Sequence, residues 1–163
     1  MKKITIFVLL PSFANGGAEK VTLSLIQSLD NDIFNYFLVM QNTVGPLKTN
    51  ISKNKIIDLK SLRFRNSLYK LVKKIFEKQP KVIFSTFPHM TIILLLIKKI
   101  FFLDFIIIAR EPNMPSISLA NAPYSYIFQK LYKITMPAVD GVIVSSSAME
   151  KEIISKGIDK KKV

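Results

Sequence analysis

Gly16 and Gly17 sit between an apolar run, Ile4 to Leu10, and an amphipathic segment, Ala18 to Leu29. Strand, Gly-rich turn and helix together can hold an anion such as a phosphate. Glycines let the ligand approach the backbone, and the helix start offers unpaired N–H groups and its positive dipole end. A plain strand-to-helix connection that needs two glycines explains the same residues. The spacing is not the dinucleotide fingerprint, because no third glycine follows. Nor is it a P-loop, because no Lys-Ser/Thr follows.

Three later places also hold reactive residue types. His89, the sole histidine, follows the apolar run Val82 to Thr86. Its ordinary pKa near neutrality suits a general base or a phosphate contact, while a helix-start His facing solvent is the plain alternative. Arg110 and Glu111 follow the run Phe105 to Ala109. The guanidinium could hold a phosphate bidentately, and the carboxylate could orient a sugar hydroxyl or take its proton. A mutual Arg–Glu ion pair would leave both occupied. Asn113 could bond a hydroxyl-rich ligand, or only shape the turn between Pro112 and Pro115. Of Ser145, Ser146 and Ser147, one caps a helix and the others are structural. No Gly-x-Ser-x-Gly occurs, so no serine nucleophile elbow is built.

These residues need a scaffold, and the apolar pattern supplies one. Strands are expected at Ile4–Leu10, Tyr36–Met40, Lys55–Leu59, Val82–Thr86, Phe105–Ala109 and Gly141–Ser145. Helices are expected between them. Ala18, Val21, Leu25 and Leu29 share one face of the first. Ser67–Gln79 carries the stripe Leu68, Leu71, Val72, Ile75 and Phe76, with Lys70, Lys73, Lys74 and Lys78 around it. That helix suits packing on a sheet, and it also suits an acidic membrane. Met90–Lys99 is apolar nearly all round. Two prolines argue against a helix in the segment Arg110–Pro115. Tyr124, Ile127, Phe128, Leu131, Tyr132 and Met136 mark a further helix. In the last helix Ser147 and Glu150 form a capping box, and Gly157 stands at the C′ position.

Strands alternating with helices give an α/β fold with a doubly wound, mostly parallel Rossmann-like sheet and helices on both faces. One domain covers residues 1–163. Ligands of such folds bind beyond the carboxyl ends of the strands, at the switch point of strand order. In the common order, strands one and four are neighbours there. The loops Ser12–Gly17 and Phe87–Met90 would then face one crevice.

Composition narrows the function classes. The 163 residues are 49% hydrophobic and 21% charged, which is globular and not disordered. With no cysteine, a disulfide framework, a thiolate zinc site and a thiol nucleophile are excluded. One histidine leaves little for a metal cluster. The net charge of +13, from 24 Lys and Arg against 11 Asp and Glu, favours an anionic partner. No Arg-rich reading helix or RNP-like motif is present, so an anionic membrane surface is expected and nucleic acid is not. The first ten residues have a signal-peptide layout, but a Gly-Gly turn and a periodic helix follow at once, as after a buried strand. Lys98, Lys99 and Asp104 interrupt the apolar stretch Thr91–Ala109, so it reads as a buried helix and strand.

Three segments carry a family resemblance: Phe13-Ala14-Asn15-Gly16-Gly17-Ala18-Glu19-Lys20, Ala109-Arg110-Glu111-Pro112-Asn113, and Gly141 through Met149. Together they resemble the N-terminal domain of family 4 glycosyltransferases of the GT-B fold. The resemblance covers essentially the whole chain. Many members carry a His at the end of the fifth strand; this chain has Arg110-Glu111 there, like the subgroup with a Glu-Arg-Asn type segment. The resemblance implies acceptor binding by this half, with Gly16 and Gly17 approaching the donor diphosphate. Glu111 and His89 are the expected catalytic residues. Arg110, Asn113 and Lys20 are expected on the acceptor.

The implied reaction moves a hexosyl group from a nucleotide-sugar to a hydroxyl of a lipid-linked or cell-surface polysaccharide precursor, with retention. No metal or other cofactor is expected. The implied place is cytoplasmic, peripheral at the inner face of the cytoplasmic membrane. The family's donor-binding C-terminal domain, with its Glu-x₇-Glu motif, is expected to lie outside these residues, leaving them inactive alone. The alternative is a non-catalytic Rossmann or flavodoxin-like module that binds a phosphate-bearing ligand or a partner protein.

Overall fold

A computed structural model describes residues 3–120 and 125–163. The strands are β1 (Ile4–Leu10), β2 (Phe34–Met40), β3 (Ile56–Asp58), β4 (Val82–Ser85), β5 (Ile106–Arg110) and β6 (Gly141–Ile143). The α-helices are α1 (Gly17–Gln27), α2 (Leu68–Lys78), α3 (Pro88–Ile100), α4 (Pro115–Ala120), α5 (Ser125–Thr135) and α6 (Ser147–Ser155). The strands form one six-stranded sheet in the order β3-β2-β1-β4-β5-β6. β1 and β4 are neighbours, and the order reverses there, as in a doubly wound Rossmann-like fold. β1 pairs parallel with β2, from Ile4 opposite Phe34 to Leu10 opposite Met40. Among the described residues no helix is long and apolar enough to cross a membrane.

The chain gathers into two compact units, Met1–Phe84 and Ser85–Val163. The first unit is built on β1, whose residues Phe7 to Leu10 are fully buried with Leu38, Val39, Met40 and Ile26. Branched, apolar and uninterrupted strands suit a sheet covered on both faces. The second unit buries Leu94 of α3, Ile107 and Ala109 of β5, Tyr132 of α5 and Ile153 of α6. α3 packs against α5 within it.

Several expectations are corrected. The buried face of α1 is Glu19, Thr22, Leu23 and Ile26, while Val21 and Leu25 are exposed. Both stripes recur at helical spacing, so periodicity alone could not choose between them. α2 buries only Leu71 and Ile75 of its stripe, and Phe76 is exposed. In α5 Ile127 is exposed where a core position was expected; Tyr132 and Thr135 are the buried residues. Tyr124 lies outside the described residues. Residues 110–114 are non-helical, as expected, but a helix not foreseen follows them: Pro115 opens α4, at the position where a missing N–H costs nothing. The cap of α6 is Ser146, not Ser147, and its side chain accepts from Met149 N–H. Gly157 does close α6 at positive φ, with Ile158 N–H donating to Ile153 and Gly157 N–H to Ile154, the Schellman arrangement.

One loop-on-loop contact positions the Gly-rich turn. Phe13 N–H donates to the Val44 carbonyl at 3.0 Å, and Leu47 N–H donates to the Phe13 carbonyl at 3.0 Å. Gly45 lies between these bonds at φ 142°, and a Cβ there would come within 2.1 Å of the Phe13 carbonyl oxygen. Gly45→Ala is therefore expected to destabilise the chain by about 2 kcal/mol or more, through strain and the lost loop contact. Urea unfolding of the variant beside wild type checks this; an unchanged midpoint would contradict it.

Candidate functional site

In the first unit, β1 ends at Leu10 and the chain turns through residues 11–16 into α1. Buried Phe13 anchors the turn. Gly16 is the N-cap of α1, and no side chain caps this end. A helix leaves its first N–H groups without helical partners, so this end offers donors and a positive dipole. The two glycines differ. A Cβ on Gly16 would come within 2.3 Å of Glu19 Oε2, whereas a Cβ on Gly17 would meet nothing within 4 Å. The fold itself therefore requires no glycine at 17, and the space beside it is open to a ligand.

Glu19 was not singled out from the sequence as a site residue. It is buried in the first turn, with its carboxylate against Gly16. The signal was present as Gly16-x-x-Glu19, the spacing at which a third-position Glu folds back over its cap. Lys20 is exposed on the next position.

The first unit also holds an open cavity of about 340 Å³ at the carboxyl ends of β1, β2 and β3. Ser12, Asn42, Val44, Lys60, Ser61 and Leu62 line it. The Asn42 side chain is spent on the loop, accepting from Val44 N–H at 3.0 Å and donating to the Ser61 carbonyl at 3.4 Å. Ser61 Oγ donates to the Arg63 carbonyl at 2.8 Å, so the Ser12 hydroxyl and the Lys60 ammonium remain as polar groups for a ligand. No sequence motif marked this cavity, because three separate loops make it.

In the second unit, Glu111 continues from β5, its N–H donating to the Ile143 carbonyl at 3.0 Å. The side chain is 1% exposed. Tyr132 Oη donates to Glu111 Oε1 at 3.1 Å. Glu111 Oε2 and Arg110 Nη1 are both buried without a hydrogen-bond partner. The two neighbours do not form the ion pair that would have occupied both. Burial pushes the Glu111 carboxyl up from 4.5 to about 8; the charge of Glu152 adds to this, and the Tyr132 bond opposes it. At neutral pH the group is mainly a neutral acid. Burial, then Glu111 and Glu152, also push the Tyr132 hydroxyl up.

Glu152 of α6 holds the segment after Glu111 in place. It accepts from Ser116 N–H at 2.5 Å and Ser116 Oγ at 3.2 Å, which caps the start of α4. Asn113 is exposed on the turn before α4. His89 is the second residue of α3, its ring 5.9 Å from that of Phe87. Burial pulls its pKa below the ordinary 6.5, so it is neutral at pH 7 and suited to accepting a proton. Thr91 Oγ1 bonds Ser85 Oγ at 3.0 Å and the Phe87 carbonyl at 3.2 Å, which fixes the start of α3. Thus Arg110 and Glu111 stand together with Tyr132 and Glu152, while Gly16, Gly17 and Lys20 stand together in the other unit. Among the described residues, no three His, Asp or Glu side chains cluster to hold a metal ion.

No curated protein matches the chain in sequence. Among solved structures it is similar to the lipopolysaccharide outer core galactosyltransferase WaaB in its apo form. The TM-score is 0.67 at 18% identity, over 97% of this chain and 43% of that one. It is similar to Anabaena Alr3699/HepE in complex with UDP, with TM-score 0.65 at 13% identity, over 98% and 42%. It is also similar to UDP-N-acetylglucosamine 2-epimerase from Rickettsia bellii, with TM-score 0.68 at 10% identity, over 99% and 44%. At these identities the likeness is one of fold, and an epimerase shares it as well as a transferase. The chain spans less than half the length of each. The decisive match is a family model, Glycosyltransferase Family 4, over residues 15–163. By that match over nearly its whole length, the chain belongs to Glycosyltransferase Family 4.

Proposed function

We propose that the chain is the acceptor-binding half of a retaining hexosyltransferase. It would move a sugar from a nucleotide-sugar to a hydroxyl of a lipid-linked or cell-surface polysaccharide precursor. One observation carries the reading: in a chain of this family, an uncapped α1 begins beside open space at Gly17. The backbone N–H groups and helix dipole there would stabilise the departing diphosphate, with no reorganisation at the moment of transfer. Support comes from HepE, solved with UDP and with UDP-glucose. Glu19, a carboxylate, would meet donor-sugar hydroxyls rather than phosphate.

Acceptor binding is assigned to Arg110 and Asn113 in the second unit and, separately, to Lys20 and the cavity lined by Ser12 and Lys60 in the first. Glu111 Oε2 and Arg110 Nη1 are the two buried groups that an acceptor hydroxyl would satisfy. Neutral His89 would take the hydroxyl proton. A second domain would bind the nucleotide and supply the remaining positive charge; metal would not be needed. The protein would work from the cytoplasm, at the inner face of the cytoplasmic membrane, where lipid-linked acceptors lie.

Gly17 separates this reading from a structural one. Gly17→Ala is expected to change stability by less than about 0.5 kcal/mol, because its Cβ meets only open space. Gly17→Leu should remain folded but lose at least about tenfold in nucleotide-sugar-dependent transfer, since its side chain fills the diphosphate approach. Thermal melts and transfer of labelled sugar by cell membranes carrying each variant measure both. Undiminished transfer by folded Gly17→Leu would refute the donor assignment.

Glu111 yields a pH prediction. Its folded pKa of about 8 lies above the ordinary 4.5, so the folded state binds a proton that the unfolded state releases over that range. This contribution is full below the unfolded value and is lost as pH rises through the folded one. Wild type should therefore lose on the order of a few kcal/mol relative to Glu111→Gln between about pH 5 and about pH 8.5. Parallel stability curves for the two proteins would show that Glu111 is not held as the neutral acid.

A further inference from the structure

The two oxygens of the buried Glu111 carboxyl differ. Oε1 accepts from Tyr132 Oη at 3.1 Å, while Oε2 has no hydrogen-bond partner. Glu152 does not fill that gap, because both of its oxygens are spent. Oε1 takes Ser116 N–H and lies 3.5 Å from Lys156 Nζ, and Oε2 takes Ser116 Oγ. Tyr132 is itself held fast. It is 1% exposed in α5, which packs on both α3 and α4, so its hydroxyl has little room to leave Glu111.

A neutral carboxyl carries one O–H. With Tyr132 donating to Oε1, that oxygen is the carbonyl and the proton stands on Oε2. Arg110 ends β5 with a second unpartnered donor, Nη1, and a guanidinium has no acceptor. The two open groups at this strand end therefore give hydrogen bonds, and neither takes one. Buried donors left without a partner cost free energy, which a ligand oxygen would relieve. Hydroxyl and ring oxygens of a saccharide offer the lone pairs.

We propose that Tyr132 is a positioning residue: it holds the Glu111 proton on Oε2, so that Glu111 meets a saccharide oxygen of the acceptor as a hydrogen-bond donor rather than as a base. The assignment rests on the acceptor-binding reading of this half. Two titratable neighbours act on Glu111 in opposite senses. Glu152 of α6 strengthens its hold on the proton, and the bond from Tyr132 of α5 weakens it. Lys156 offsets part of the Glu152 charge. Ser116 of α4 and Ile143 of β6 bring no charge, and α3, packed on β5, buries no charged side chain.

Transfer of labelled sugar by membranes carrying each variant, followed with pH, tests the proposal. Wild-type transfer is expected to fall as pH rises through about 8. Tyr132→Phe keeps the buried ring and should move this fall to higher pH, because it removes a bond that favours the ionised form. Glu152→Gln should move it to lower pH. Glu111→Ala should lose at least about tenfold in transfer. Glu111→Gln should recover most of that loss and show no fall near pH 8, since its amide carbonyl can face Tyr132 and its N–H the ligand. The NMR signal of the Glu111 carboxyl carbon in the purified chain, assigned by its absence from Glu111→Gln, follows the same proton without turnover. It should titrate with the same two shifts. Glu111→Gln as inactive as Glu111→Ala would make Glu111 the base and overturn the proposal. A Tyr132→Phe carboxyl that titrates at or below the wild-type pH would overturn it as well. The expected titration shifts, with Glu111→Ala transferring as wild type does, would overturn the acceptor reading of this site and leave the Tyr132–Glu111 pair standing.

Discussion

The glycine-rich turn is held in place by two backbone hydrogen bonds to Phe13 and by the missing Cβ of Gly45. A turn left to itself would sample many conformations, and its N–H groups would point in as many directions. Clamping Phe13 between Val44 and Leu47 removes that freedom before any ligand arrives. The buried Phe13 ring below and α1 beyond then set where the donors point. Gly17 itself meets nothing that would crowd a Cβ, while Gly45 fixes the loop that leads to it. The same clamp forms one wall of the cavity at the carboxyl ends of β1 to β3.

The second unit solves a different problem, a carboxyl buried among other acids. Glu111 has one oxygen held by Tyr132 and one unsatisfied, with the charge of Glu152 nearby. A buried charge in that setting is costly, so the group keeps its proton. A neutral carboxyl can both donate and accept, which suits recognition of a hydroxyl. His89, by contrast, is uncharged at neutral pH because its own burial lowers its pKa.

Much of the fold was legible in the sequence because the strands are uninterrupted apolar runs, and such runs have few alternatives. β1 and β2 pair over seven residues each, where the branched residues are densest. Helix faces were less legible. α1 carries two apolar stripes, and only the sheet decides that Leu23 and Ile26 turn inward while Val21 and Leu25 face out. α4 was missed because proline stops a helix in one position and starts one in another, and Pro115 is of the second kind. For the candidate site, the residue types at Gly16, Gly17, His89, Arg110 and Glu111 could be read. Their environments could not. Tyr132 and Glu152 reach Glu111 from helices that come much later in the chain, and no local spacing announces such a meeting.

The central claim is that this chain serves sugar transfer from a nucleotide donor. Its most direct test uses membranes from cells that lack the chain, supplied with labelled nucleotide-sugars. Incorporation of label into lipid-linked or polymeric saccharide should be lost in those membranes and restored when the chain is returned to the cells. Label incorporated equally with and without the chain, while the purified chain still binds a nucleotide-sugar, would contradict the claim and identify a binding module instead.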